Sequence, residues 1–239
     1  MKRDPMGVLA LIYDVHGNLA ALEVVLADTR EQGATGYVIG GDVALFGPRP
    51  VETVTRLREL QGATWLRGNG ERWTAAPGDA PDVDPVQGAI AFARAALGDD
   101  VVRELAELPE SAVIDDGTRA WHGSPVSDVR SFLPQAGDDE DELLEDVAER
   151  RLVFGHTHLP FRRTTQHGIE LINPGSVGMS FDGDPRAAYA LLGPEGEVVH
   201  RRVDYDHVAT AAVLRTEQAN APWATTVAER IEQARVDAG

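Results

Sequence analysis

Asp14 and His16 stand one residue apart where an apolar run, Gly7 to Tyr13, comes to its end, and Gly17-Asn18 follows at once. A carboxylate and an imidazole gain little from a hydrophobic core, but together they suit a hard or borderline cation. Polar donors in a short glycine-containing segment behind an apolar run recur at Asp42, Asn69, His122, and His156 with His158. Two carboxylates, one amide and four imidazoles exceed the needs of one structural ion. Two ions sharing a carboxylate would use all seven, and Asp42, beside Gly40-Gly41, is the natural bridge. Two divalent cations bring about +4, and two carboxylates with one bridging hydroxide leave about +1. Such a site suits in-line displacement at a phosphoryl group.

The elements that must hold these donors are legible as alternating strands and helices. Gly7 to Tyr13 reads as a strand covered on both faces. Asn18 suits a helix N-cap ahead of Leu19, Leu22, Val25 and Leu26, and the pattern stops near Gly33. Gly36 to Gly40 reads as a second strand, Pro50 to Gln61 as a helix, and Ala63 to Leu66 as a third strand. The alternation predicts a parallel sheet with the polar residues at its carboxyl ends, where open α/β sheets place their sites. A helix is expected from Pro85 to Leu108, broken at Gly98. Hairpins are expected around Asp115-Asp116-Gly117, His167-Gly168 and Pro194-Glu195-Gly196. The acidic stretch Gly137 to Glu149 reads as an amphipathic helix with a solvated charged face, carried by Leu143, Leu144 and Val147. His207 to Ala238 reads as helix interrupted near Pro222. One domain over residues 1–239 fits this pattern better than two.

Composition narrows the chemistry. The 239 residues contain no cysteine, which removes disulfides, zinc–thiolate sites and thiol catalysis. With 22 basic against 39 acidic residues the formal charge is −17, and Lys2 is the only lysine. Binding of long nucleic acid is not expected, because it depends on basic residues displacing counterions. A small anion is still admissible where metal charge overrides the global field. Met1 to Pro5 is charged and the apolar run after it is short, so a secretory signal is not expected. No stretch approaches the ~20 apolar residues of a membrane helix. A soluble cytoplasmic protein is the expectation.

The segments that carry the donors resemble, in order, the motifs of the calcineurin-like metallophosphoesterase family. They are Asp14-Val15-His16-Gly17-Asn18, Gly40-Gly41-Asp42-Val43, Gly68-Asn69, His122-Gly123-Ser124-Pro125 and Gly155-His156-Thr157-His158. Phe46-Gly47-Pro48-Arg49-Pro50, Asn173 to Gly178 and Asp182 to Arg186 are similar to a branch of small bacterial and archaeal cytosolic members. The resemblance implies a four-layer α-β-β-α sandwich, two mixed β-sheets flanked by helices. It implies Asp14, His16 and His158 as ligands of one divalent metal, Asn69, His122 and His156 of another, and Asp42 between them. Asp42, Asn69 and His122 are the candidate catalytic residues. Manganese is the first choice of metal, with iron, nickel and zinc compatible with the same donors. A homodimer is permitted by the same analogy.

Two positions depart from the family pattern. Tyr13 stands where a small residue is usual, its ring either turned into the core or narrowing the mouth of the site. Gly70 stands where a histidine that assists the leaving oxygen is usual. Loss of such an acid costs typically ~10²–10⁴-fold, most for a poor leaving group, so a small phosphodiester is the expected substrate. The rivals are a catalytically weak scaffold or sensor and a nuclease acting on short single-stranded ends. Plainer roles are also open: Asn18 as a cap, Arg186 paired with Asp182 or Asp184, Asn173 and Ser176 shaping a turn, and Phe46 and Arg49 in a loop or against substrate. Trp65, Trp73 and Trp223 are expected in the core, and His167, His200 and His207 at the surface.

Overall fold

The structure is a computed structural model and describes residues 7–236. Its first sheet is built on β1 (Val8–Ile12), which pairs parallel with β2 (Ala34–Ile39) and antiparallel with β9 (Ala187–Leu192). The short β3 (Thr64–Trp65) extends it beyond β2, and β10 (Val198–Val203) beyond β9. The second sheet runs β4 (Ser111–Asp115), β5 (Thr118–Trp121), β6 (Arg151–Val153), β8 (Glu170–Asn173), β7 (Phe161–Thr164), parallel at its centre and antiparallel at both edges. Both sheets are therefore mixed, as expected.

Strand periodicity sets which side chains join the two sheets. Along β1, Leu9 and Leu11 face the second sheet while Ala10 and Ile12 face the helices. Leu11, Tyr13, Val38, Leu66, Ala120, Val153, Ile172 and Ala190 form the inter-sheet core. The other face of the first sheet is covered by α1 (Leu19–Glu31), α2 (Pro50–Arg58) and the far half of α4 (Asp84–Ala106). Asn18 caps α1, accepting from the Ala21 N–H at 3.1 Å. Gly98 breaks α4 at φ 76°, ψ 159°, a conformation open essentially to glycine alone. The near half of α4 packs with α6 (His207–Glu217) and α7 (Pro222–Gln233) around Trp223, and Leu45, Phe46 and Met179 insert into that cluster.

The fourth layer is thinner than the sequence suggests. Among the described residues over the outer face of the second sheet, only Glu140–Leu143 (α5) is helical, and the remainder of 137–149 is irregular. Leu143 and Leu144 are buried as expected, with Val147 packed beside them. Repulsion among closely spaced acidic side chains disfavours a longer helix. The acids serve instead as partners for arginines from elsewhere: Glu142 and Asp139 for Arg130, and Glu140 for Arg163. Trp223 is buried and Trp65 and Trp73 are half-buried in the clusters. His167 is exposed, but His200 is not: its ring is half-buried and Nε2 donates to the Asn173 main-chain oxygen at 2.8 Å. His207 is half-buried at the start of α6.

Candidate metal centre

All seven candidate donors lie just past the ends of strands. Asp14 and His16 follow β1, Asp42 follows β2, and Asn69 opens α3 (Asn69–Ala75) behind β3. His122 follows β5, and His156 and His158 follow β6. The sandwich brings the two sets together. Asp14, His16, His158, Asp42, His122 and Asn69 are each 4% exposed or less, so their polar atoms must be satisfied by one another or by a ligand.

Asp14, His16, Asp42, His156 and His158 all have φ between 52° and 68°. Left-handed backbone at a non-glycine residue costs of order 1–3 kcal/mol and persists only where surroundings fix it. Here the fixing is visible. The N–H groups of Asp14, His16 and Gly17 donate to the oxygens of Gly41, Asp42 and Val43, lacing the first two loops together. Glu71, 3% exposed, accepts from the main-chain N–H groups of Asp42, Val43 and Gly68 at 2.7–2.8 Å. Sequence reasoning passed over Glu71, although a glutamate three residues after a helix cap at Gly68 is a recognisable N-terminal signal. Ser176 ties the loop after β8 to Asp14, donating its hydroxyl to the Asp14 oxygen at 2.7 Å. Asn173 donates to Gly155 and Thr157, so both act on the turn beside the site as expected.

Three of the imidazoles have their tautomer set by main-chain oxygens. Nδ1–H of His16, His122 and His158 donates to Leu45, Gly40 and Met179 at 3.0, 2.8 and 2.5 Å. Each Nε2 is left with a bare lone pair aimed into the site. Leu45 and Met179 are themselves anchored in the helical cluster, so α4, α6 and α7 reach the site through two carbonyl groups. Phe181 stacks on the His158 ring at 4.3 Å and the Phe46 ring meets His16 edge-on at 5.4 Å.

The lone pairs converge on two points. His16 Nε2 and His158 Nε2 are 3.0 Å apart, with Asp14 Oδ1 at 4.0 and 3.6 Å. Asn69 Oδ1 lies 2.9 Å from His122 Nε2 and 2.8 Å from His156 Nδ1. Asp42 straddles the two, Oδ2 at 3.9 Å from His16 Nε2 and Oδ1 at 3.5 Å from His122 Nε2. Asp14 Oδ1 also lies 4.0 Å from His122 Nε2, so it faces both groups and not the first alone.

Two facing lone pairs at 3.0 Å repel unless a proton or a cation sits between them. Protons are disfavoured: burial pushes His16 down to about 3 and His156 to about 4, and pushes His122 and His158 down as well. Two nitrogens bound at about 2.1 Å to one ion at a right angle would stand about 3.0 Å apart, matching the His16–His158 separation. Asp14 Oδ1 is fully buried and has no hydrogen-bond partner among the described residues, an orphaned acceptor that a cation would satisfy. The Asn69 amide can turn its NH₂ to the same two imidazoles and to the Asp128 oxygen; holding a cation needs its oxygen there instead. Burial and the neighbouring Asp42 charge raise the Asp14 carboxyl well above its usual range, and burial lifts Asp42 to about 7. A bound dication would reverse both shifts.

The departures at 13 and 70 are now placed. Tyr13 is fully buried in the inter-sheet core and does not narrow the mouth. Its ring fills the space a side chain would need at Gly40, where an added Cβ would lie 2.0 Å from it. Gly70 donates its N–H to Asp42 Oδ1 at 2.6 Å, and a Cβ there would approach the same oxygen to 2.8 Å. Arg49 is bound to Glu217 at 2.5 and 2.6 Å, and Arg186 to Asp184 as expected.

Comparison with known proteins identifies the family. The sequence profile of the calcineurin-like phosphoesterase superfamily domain matches residues 8–197. Phosphodiesterase YfcE of Escherichia coli is 30% identical over 195 residues, 77% of this chain and 86% of that protein. Protein MJ0912 of Methanocaldococcus jannaschii is 27% identical over 226 residues, 83% of this chain and 88% of that one. A metallophosphoesterase structure from Sphaerobacter thermophilus superposes with a TM-score of 0.79 at 25% identity, over 95% of this chain and 99% of that one. A profile that starts at β1 and runs past β9 takes in every one of the converging donors, and the chain belongs to the calcineurin-like phosphoesterase superfamily.

Proposed function

We propose that the chain hydrolyses small phosphodiesters at a pair of divalent metal ions. Asp14, His16 and His158 hold one ion, Asn69, His122 and His156 the other, and Asp42 lies between them. The observation that carries this reading is the facing of unprotonated acceptors: His16 Nε2 stands 3.0 Å from His158 Nε2, and the buried Asp14 Oδ1, with no hydrogen-bond partner among the described residues, lies 3.6 Å from the latter. When bound, the ions supply Lewis acidity toward the phosphoryl oxygens and lower the pKa of a water for attack on phosphorus. The four imidazoles act as donors, His16, His122 and His158 each held in one tautomer, and are not free bases. Asn18 completes the surroundings by donating to the Gly178 oxygen at 2.9 Å while it caps α1, whose positive end lies beside the loop that carries Asp14 and His16.

Preference for a diester rests on Gly70. With no side chain at this position, leaving-group protonation falls to water, which handicaps a monoester, whose loose transition state puts more charge on the leaving oxygen, more than a diester. The phosphodiesterase name of the Escherichia coli relative supports the same choice. The test is turnover of bis(p-nitrophenyl) phosphate and p-nitrophenyl phosphate by protein loaded with manganese, nickel or cobalt. Diester turnover is expected to be the faster, and faster monoester turnover would refute the preference. Asp42→Asn is expected to lose more than about 100-fold in activity, since removing even an outer partner of a metal ligand costs 10–100-fold. A variant as active as its parent would overturn the metal assignment.

A further inference from the structure

A cavity of about 300 Å³ opens beside His122, at the small end of the range for ligand pockets. The hydrolysis described above makes no use of it. Trp121, Pro125 and Val126 give it an apolar wall, while Arg67 and Arg72 bring positive charge. The two arginines are held very differently. Arg72 grips Asp128 at two points, 2.6 and 2.7 Å, with side chains 28% and 22% exposed. It shares one face of α3 with Asn69, three residues apart, and is committed to Asp128. Arg67 donates to the Ala106 oxygen at 3.3 Å and pairs with Glu110, whose side chain is 69% exposed. A partner so exposed contributes little and exchanges readily.

The wall also contains two N–H groups, Arg67 Nε and Trp121 Nε1, with no acceptor among the described residues. Both are covered by neighbouring atoms, so a bound acceptor reaches them only after a side-chain rotation. The global charge of −17 repels any further anion, which leaves local cations to recruit one.

We propose that this cavity receives the non-reacting ester arm of the substrate, and that Arg67 selects arms carrying their own anionic group by releasing Glu110 and pairing with that group. The proposal rests on the phosphodiester reading above. It is tested with two chromogenic diesters, bis(p-nitrophenyl) phosphate and p-nitrophenyl 4-carboxyphenyl phosphate, on manganese-loaded protein. The carboxylated diester is expected to show a KM about tenfold lower, as for one charge-assisted pair. Arg67→Ala is expected to bring the ratio of the two KM values to about one, and Arg67→Lys to restore part of it. Glu110→Gln is expected to enlarge the ratio, because the competitor for Arg67 is gone; a purely structural ion pair would give no such gain. An equal KM for both diesters, or a ratio unmoved by Arg67→Ala and Glu110→Gln, would overturn the proposal while leaving the hydrolase reading intact. Calorimetric binding of 4-carboxyphenyl phosphate against phenyl phosphate reads the cavity without turnover. Tighter binding of the carboxylated ligand in a protein that hydrolyses neither diester would keep the cavity assignment and sink the hydrolase reading.

Discussion

At the scale of single residues, Gly70 carries the most information. Its N–H is bound to the carboxylate that lies between the two donor groups, and a Cβ there would press on that oxygen at 2.8 Å. Adding an imidazole therefore changes two things at once. Gly70→Ala isolates the first and is expected to lower diester turnover about tenfold by displacing Asp42, a positioning effect of the size seen for ligand partners. Gly70→His, compared with Gly70→Ala and not with the parent, is expected to raise the monoester-to-diester ratio by about 10²-fold or more. An unchanged ratio would show that position 70 does not govern the leaving group. The buried carboxylates set a pH dependence whose sign follows from their shift. In the metal-free protein Asp42 holds its proton up to about pH 7, and burial with the neighbouring Asp42 charge raises Asp14 in the same direction. A cation must displace those protons, so lower pH weakens binding. The manganese Kd is expected to rise about tenfold for each pH unit below about 7 on account of Asp42 alone. Calorimetric titrations between pH 5.5 and 7.5 would check it; a flat Kd would place Asp42 outside the metal's reach.

At the scale of elements, most of the supporting frame was readable because its signals are local. β9 and β10 pair on either side of Pro194-Glu195-Gly196, the hairpin expected there, and α4 breaks at the glycine that predicted a break. Gly98 has open space around an added Cβ, so Gly98→Ala is a test of backbone alone. It is expected to destabilise the fold by about 1–3 kcal/mol, read as a lower urea midpoint with unchanged slope. No shift would mean the kink can relax. The elements that were misread depended on distant partners. The run 137–149 has a helical pattern, but its acids are claimed by Arg130 and Arg163. His200 looks like a surface residue until β8 supplies the Asn173 oxygen beneath it. The seven donors were legible as types at strand ends, whereas the groups that orient them were not. Leu45 and Met179 act through main-chain oxygens, which leave no trace in side-chain chemistry. Tyr13 gave two readings in the sequence and one in the fold, since only the paired sheets show that Gly40 and Gly155 both yield space to its ring.

At the scale of the whole molecule, the donors are divided between the sheets. Asp14, His16, Asp42 and Asn69 follow strands of the first, and His122, His156 and His158 follow strands of the second. Each point of convergence draws on both. A metal that binds only the assembled form adds stability by mass action, about 2.7 kcal/mol at a hundredfold excess over Kd. Loading with manganese is therefore expected to raise the melting temperature in a concentration-dependent way, and a chelator to reverse it; equal melting with and without metal would contradict binding across the sheets. No helix among the described residues is long and apolar enough to cross a membrane. The partition of donors has one more outcome. Cut between Asn69 and β4, the chain would leave Asp14, His16, Asp42 and Asn69 on one piece and His122, His156 and His158 on the other, each blind to manganese until the two rejoin. The ion then serves as a gauge of whether the two faces have met in register.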